Sequence, residues 1–150
     1  MLNRLRDVFG SLEKHDVHYV VIGGIAAVMH GVPRATFDLD ILIEPSLENA
    51  QRLLDALVDA GLGTALQTSA EEILDHEITV FKDRVRVDVQ TSTPGISFAE
   101  ARSRCLTITY QNQDFFVLSR KDLICSKRAA GRDVDLEDVR LLELQDQDNI

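Results

Sequence analysis

Residues 22–24, Ile-Gly-Gly, are followed after thirteen residues by Asp38-Leu-Asp-Ile41, and the reading of this stretch decides the fold. The β-branched run Tyr19-Val-Val-Ile22 stops at Gly23-Gly24, as a buried strand does at a tight turn. Ile25 to His30 reads as a short helix, broken by Gly31-Val-Pro-Arg34 before a second strand from about Phe37 to Ile43. Successive side chains of a strand point to opposite faces, so Asp38 and Asp40 share one face, about 6.6 to 7 Å apart. Phe37, Leu39, Ile41 and Ile43 fill the other. Two carboxylates on one face repel, and a divalent cation between them is the usual remedy. Gly23 and Gly24 stand where a strand hands over to a helix, whose N-terminus offers unpaired N–H groups to an anion. An isolated Asp-x-Asp is more often a solvated polar face, and Gly-Gly alone is usually a turn. Together they point to a metal-dependent phosphate site.

The rest of the chain sets limits on that reading. With 150 residues, 45% of them hydrophobic, it suits one well-buried core, a single domain over 1–150. The balance of 25 acidic against 16 basic residues gives a net charge of −9, which counts against a broad nucleic-acid-binding surface but not against a local basic cleft. Cys105 and Cys125 have neither metal-ligand spacing nor a disulfide framework and suit a reducing compartment, so the cytoplasm is expected. No stretch approaches the roughly 18 apolar residues that span a bilayer, so no membrane partner is expected. Asn3, Arg4, Arg6 and Asp7 also interrupt what would be a signal peptide's apolar core.

Along the chain, Leu2, Leu5, Val8, Phe9 and Leu12 predict an opening amphipathic helix. Pro45-Ser46 starts another, with Leu47, Leu53, Leu54, Leu57 and Val58 as its apolar stripe and Gly61 as its end. Residues 62–76 lack a period and read as a loop with at most a short strand. Ile78–Phe81 and Val85–Val89 form a hairpin around Lys82-Asp83-Arg84, with Val85, Val87 and Val89 on the apolar side and Arg86, Asp88 and Gln90 on the other. Leu106–Tyr110 and Phe115–Leu118 are further strands. From about 119 the chain turns helical: Ser119 with Asp122 resembles a capping box, and Gly131 closes that helix. A last helix runs from about Asp135 to Leu144, before a polar tail, 145–150, expected to fray.

If the strands carrying Asp38, Asp40 and Asp88 are neighbours, the three carboxylates converge as two Mg²⁺ ions require. Lys127 falls on the stripe of Leu123, Ile124 and Ala130, where a packing residue belongs. It either snorkels outward or reaches into a cleft to hold phosphates. Arg34 and Arg132 are similar candidates, and Asp135 reads as a helix cap. Arg120, Lys121, Lys127, Arg128 and Arg132 make the one local cluster of positive charge, suited to a triphosphate or an RNA end. His30 suits a structural role at a helix end, and neither the remaining histidines nor the serines and cysteines suggest a metal site or a nucleophilic triad.

These motifs resemble the DNA polymerase beta-like nucleotidyltransferase superfamily. Its pattern is an apolar residue, Gly, then Gly or Ser, and after a gap Asp, apolar, Asp or Glu, apolar; Ile22-Gly23-Gly24 and Asp38-Leu39-Asp40-Ile41 fit it. Val21 to Asp40 and Lys127-Arg-Ala-Ala-Gly-Arg-Asp-Val-Asp-Leu-Glu-Asp138 are similar to the branch containing nucleotidyltransferase-type toxins of bacterial toxin–antitoxin systems. The resemblance implies an α/β (α+β) fold, a mixed β-sheet flanked by helices. It implies that Asp38 and Asp40 bind two Mg²⁺ ions and that Asp88 is the third carboxylate, activating an acceptor hydroxyl. It further implies that Gly23 and Gly24 cradle the triphosphate of an NTP such as ATP, with Lys127, and Arg34 as well, contacting its phosphates. The implied reaction transfers NMP to an RNA end, a protein side chain or a small molecule, with a cognate toxin or antitoxin protein as a further partner.

Minimal relatives usually carry Gly-Ser and Ser-Asp-x-Asp where this chain has Gly-Gly and Phe-Asp-x-Asp, which leaves the acceptor open. Two competing readings are a non-catalytic subunit or antitoxin that binds a nucleotide or a protein, and a structural module that binds neither nucleotide nor metal. A cleft joining Asp38, Asp40, Asp88 and Lys127 would favour catalysis over both.

Overall fold

The computed structural model describes residues 2–148, with side chains through 145. Six strands form one mixed sheet: β1 (Tyr19–Ile22), β2 (Asp38–Ile43), β3 (Ile78–Lys82), β4 (Arg86–Gln90), β5 (Leu106–Tyr110) and β6 (Gln113–Val117), ordered β3-β4-β2-β1-β6-β5. β2 runs parallel to β4, and β1 parallel to β6, while β1–β2, β3–β4 and β5–β6 are antiparallel. The helices are α1 (Leu2–Lys14), α2 (Gly23–Met29), α3 (Leu47–Asp59), α4 (Ala70–Leu74), α5 (Phe98–Arg104), α6 (Arg120–Ala130) and α7 (Asp133–Asp148). This is the expected mixed sheet flanked by helices.

Alternation builds the sheet's two faces. Leu39, Ile41, Val87 and Val89 are fully buried, as is Val85 just before β4, whereas Asp38, Asp40, Arg86 and Asp88 keep some access to solvent. Phe9 of α1 stacks on Phe115 of β6 with ring centroids 4.3 Å apart, pinning the first helix to the sheet. Buried Asn49 ties α3 to the strand ends: its amide donates to the carbonyls of His18 and Glu44 at 3.0 and 2.9 Å and accepts from the His18 N–H at 2.8 Å. The β1–β2 register, and with it the height of Asp40 beside Ile22, is thereby held.

Several expectations need correcting. Phe37 does not join the apolar face: β2 begins at Asp38, and Phe37 is 73% exposed. Leu47 and Val58, assigned to the buried stripe of α3, are exposed, because they flank the stripe of Leu53, Leu54 and Leu57 that meets the core. Residues 62–76 are not a loop with a short strand: Gly63–Gln67 form a 3-10 turn and Ala70–Leu74 form α4, whose N-cap Ser69 accepts from the Glu72 N–H. α5 is a helix the sequence periodicity does not reveal, although a complete capping box, Ser97 with Glu100, marks its start. Ser119 caps α6 by accepting from the Asp122 N–H, but the Asp122 carboxylate does not return the bond: it takes two bonds from Arg104, at 2.9 and 3.0 Å.

The last helix also starts earlier and runs longer than expected, so the tail predicted from 145 begins inside α7, and its end, 149–150, lies outside the described residues. Gly131 does close α6, with φ of 69° in the left-handed region. The positive cluster is divided: Lys127 and Arg132 turn to one cleft, Arg128 pairs with Glu143, and Arg120 donates to the Leu142 carbonyl. Among the described residues, no helix is long and apolar enough to cross a membrane.

Candidate active site

Strand register sets the heights of the carboxylates. Asp38 stands beside Arg86, and Asp40 stands beside Asp88 on one side and Ile22 on the other. The three acids thus share one face of two neighbouring parallel strands, at the point where β1 gives way to α2.

A cleft of about 370 Å³ opens there, lined by Gly23, Gly24, Arg34, Asp38, Asp40, Asp88, Lys127 and Arg132, every site residue expected from sequence. Thr36, Gln90, Thr93 and Ser126 add neutral polar groups, and Ile78, Leu123, Ala130 and Val134 add apolar wall.

Gly23 has to be glycine. Its φ is 69°, and an added Cβ would stand 2.9 Å from the carboxyl carbon of Asp40. The chain therefore passes close against the carboxylate, and the next peptide, at Gly24, donates its N–H to Asp40. A Cβ on Gly24 would meet Thr36 Oγ1 at 2.9 Å and an Arg34 nitrogen at 3.2 Å, so the cleft wall is built against bare backbone at both positions.

The acidic face is electrostatically crowded. Burial, then the neighbouring Asp88 charge and a hydrogen bond shared with Asp88, push the Asp40 carboxyl up from 3.8 to about 7. Asp38 raises it further, and the Gly24 N–H pulls the other way.

Sequence reasoning missed two features of the cleft. The first is Arg86, placed correctly on the acidic face but given no role. Its guanidinium donates to both Asp88 oxygens, at 2.9 and 3.2 Å, and lies 3.7 Å from Asp38. Residues i and i+2 share a strand face, so the signal was in the spacing. Among the described residues, no group of three or more His, Cys, Asp or Glu side chains is arranged to hold a metal ion.

The second is the role of the α7 acids. Asp135 lies in the first turn of α7, as a cap residue does, but at 2% exposure its carboxylate also takes two bonds from Arg132, at 2.7 and 3.2 Å. Burial pushes the Asp135 carboxyl up, while the Arg132 bonds and the charges of Arg132 and Lys127 outweigh it and hold it below the usual range. Asp138, also 2% exposed and not singled out before, accepts from one Arg34 guanidinium nitrogen at 2.9 and 3.1 Å and from Lys127 Nζ at 2.9 Å. Lys127 therefore does not snorkel outward. It is buried at the cleft wall, 3.6 Å from Asp135 as well. Two buried carboxylates so gather three cations, from the α2–β2 loop, from α6 and from the α6–α7 turn. The Asp-x-x-Asp spacing at 135 and 138, one helical turn, was the available clue.

With carboxylates on β2 and β4, bare backbone at the head of α2 and cations opposite, one comparison is decisive. The family described as nucleotidyltransferase of unknown function, DUF6036, has a model that matches residues 2–150. The chain belongs to this family. No curated protein matches it. In this member of the family, His30, expected to be structural, bonds through Nε2 to the Leu118 carbonyl at 2.8 Å, next to where β6 ends.

Proposed function

We propose that the protein is a Mg²⁺-dependent nucleotidyltransferase that moves NMP from an NTP to a hydroxyl acceptor. The observation that carries this reading is the register Asp40 beside Asp88 with Asp38 two residues before, next to Gly23-Gly24 at the end of β1. The donor chemistry suits a hard divalent cation, since all three groups are carboxylates, although with Arg86 paired to Asp88 they are not arranged as a metal-holding cluster; burial and the like charge of Asp88, which raise Asp40 to about 7, are what such a cation would offset. When bound, Mg²⁺ ions held by Asp38, Asp40 and Asp88 would neutralise the charge that builds on the transferring phosphoryl group.

The chain's own residues do the rest. Backbone N–H groups at the head of α2 receive the triphosphate, with the Thr36 and Arg34 side chains standing close against Gly24. Lys127, Arg34 and Arg132 supply positive charge across the cleft, each fixed by Asp138 or Asp135 before the donor arrives, so little ordering remains to be done on binding. Leu123, Ala130 and Val134 give the nucleoside an apolar wall. The acceptor oxygen attacks the α-phosphorus, the bond to the bridging oxygen of the β-phosphate breaks, and pyrophosphate leaves. Asp88 takes the hydroxyl proton, which requires that Arg86 release at least one of its oxygens.

A second reading is favoured by Arg86 itself. A guanidinium paired to Asp88 also suits a non-catalytic subunit, such as an antitoxin, that binds a nucleotide or a partner protein without turnover. Incubation with each α-labelled NTP, Mg²⁺ and either total RNA or cell lysate separates the two. Label on an acceptor supports transfer; calorimetric binding of ATP with no labelled product supports the second reading.

A further inference from the structure

Although the chain carries a net charge of −9, some of its arginines pair with no carboxylate among the described residues. Arg4, in the first turn of α1, and Arg84, in the β3–β4 turn, are two of them. Arg4 donates to the Arg84 carbonyl at 2.8 Å, and Arg84 donates to the carbonyls of Arg4 and Ala60 at 3.3 and 2.7 Å. Among the described residues, neither forms an ion pair with a carboxylate. Backbone carbonyls orient both guanidiniums without neutralising them.

The two arginines frame a cavity of about 160 Å³ whose wall includes the exposed ring of Phe37. Asp83 also borders it, but the Asp83 carboxylate is engaged by the N–H groups of Thr64 and Arg84, at 3.2 and 2.8 Å. The exposed ring and the unclaimed cations stand together, one residue from Asp38.

The cavity adjoins the donor cleft, with Asp38 and Arg86 in the wall of both. In-line transfer puts the attacking oxygen and the leaving pyrophosphate on opposite sides of the α-phosphorus. The pyrophosphate side belongs to α2, α6 and α7. The Arg4–Phe37–Arg84 cavity is built from α1, the start of β2 and the β3–β4 turn, beyond the carboxylates.

We propose that this cavity is the acceptor subsite and takes the end of a single-stranded nucleic acid, with a base stacked on Phe37 and a phosphodiester between Arg4 and Arg84. An exposed phenyl ring offers a sequence-tolerant face to any base, and guanidiniums recognise phosphate oxygens in pairs. The terminal hydroxyl then lies beside Asp38. This rests on the nucleotidyl-transfer reading and names its acceptor.

The test is fluorescence anisotropy with labelled oligonucleotides of about eight nucleotides, RNA and DNA in separate arms, without NTP. Phe37→Ala should weaken binding about tenfold, the loss of one stacked base. Arg4→Gln should weaken it and reduce the salt-dependence slope by about one. Lys14→Gln, which removes a charge from the far end of α1, should change little, and calorimetric binding of ATP with Mg²⁺ should be the same in all four proteins.

Tighter binding in either arm supports the proposal and assigns the sugar. Oligonucleotide affinity equal in wild type and Phe37→Ala overturns it, as does label passing from NTP only to protein or a small molecule. Those results leave donor chemistry standing. Absence of ATP binding and of any transfer would instead remove the underlying reading.

Discussion

Arg86 donates from Nε and from a terminal guanidinium nitrogen to the two carboxylate oxygens of Asp88, the residue two places on along the same strand face. The chain thus places a guanidinium on the acidic strand face, and Asp38, at 3.7 Å, shares it. Arg86 opposes a divalent ion electrostatically as much as it substitutes for one. Arg86→Gln should bind Mg²⁺ tighter by about threefold or more in isothermal calorimetry, and should lower the melting temperature in chelator while raising the increment that Mg²⁺ restores. Unchanged Mg²⁺ affinity would mean that the guanidinium and the ion do not compete.

Asp40 makes stability depend on pH. Its folded-state value of about 7 lies above the ordinary 3.8, so its contribution is fully present below 3.8 and is lost as pH rises through about 7. At roughly 1.4 kcal/mol per unit, the metal-free protein at about pH 8 carries a penalty of a few kcal/mol at Asp40. Asp40→Asn removes it. In chelator, the variant should melt higher than wild type at about pH 8, and the gap should close as pH falls toward 4. Nucleotidyl transfer by the same variant should be abolished. Retained transfer, or a melting temperature that collapses at every pH, contradicts the assignment.

Asp138 joins Lys127 and Arg34 from a buried position. Asp138→Asn leaves two cations short of a partner and should cost about 3 kcal/mol in urea unfolding. Lys127→Met with Asp138→Leu should recover part of that loss and none of the affinity for ATP. Recovery of both would assign the pair to packing alone.

Gly23→Ala places a methyl against the Asp40 carboxyl at a φ of 69°. A loss of about 1 to 3 kcal/mol is expected from the backbone alone, together with weaker ATP binding as Asp40 is displaced. A variant with wild-type melting and wild-type ATP affinity would show that the close approach of backbone to carboxylate is not needed.

The site was legible where strand periodicity fixes direction. Asp38, Asp40 and Asp88 each stand among alternating apolar residues, so their shared face could be read before the pairing of β2 with β4 was known. Lys127 was conspicuous as a cation on an apolar stripe. What periodicity cannot carry is which charges neutralise one another across elements: Asp135 reads only as a cap and Asp138 carries no role of its own, because Lys127 lies on α6 and Arg34 in the α2–β2 loop. Phe37 was misplaced for the opposite reason, since alternation continued past the end of the strand. α4 and α5 are five and seven residues long, too short for a period, and were marked only by the caps Ser69 and Ser97.

The central claim is that NMP, not a terminal phosphate, leaves the NTP. The direct measurement is a pair of incubations with total RNA and Mg²⁺, one with α-labelled and one with γ-labelled NTP, resolved for labelled acceptor and for released pyrophosphate. The account predicts acceptor label from the α-position only, with pyrophosphate carrying the γ-label and Asp40→Asn producing neither. Acceptor label from the γ-position, or none from either in folded protein across RNA, protein and small-molecule acceptors, would contradict it.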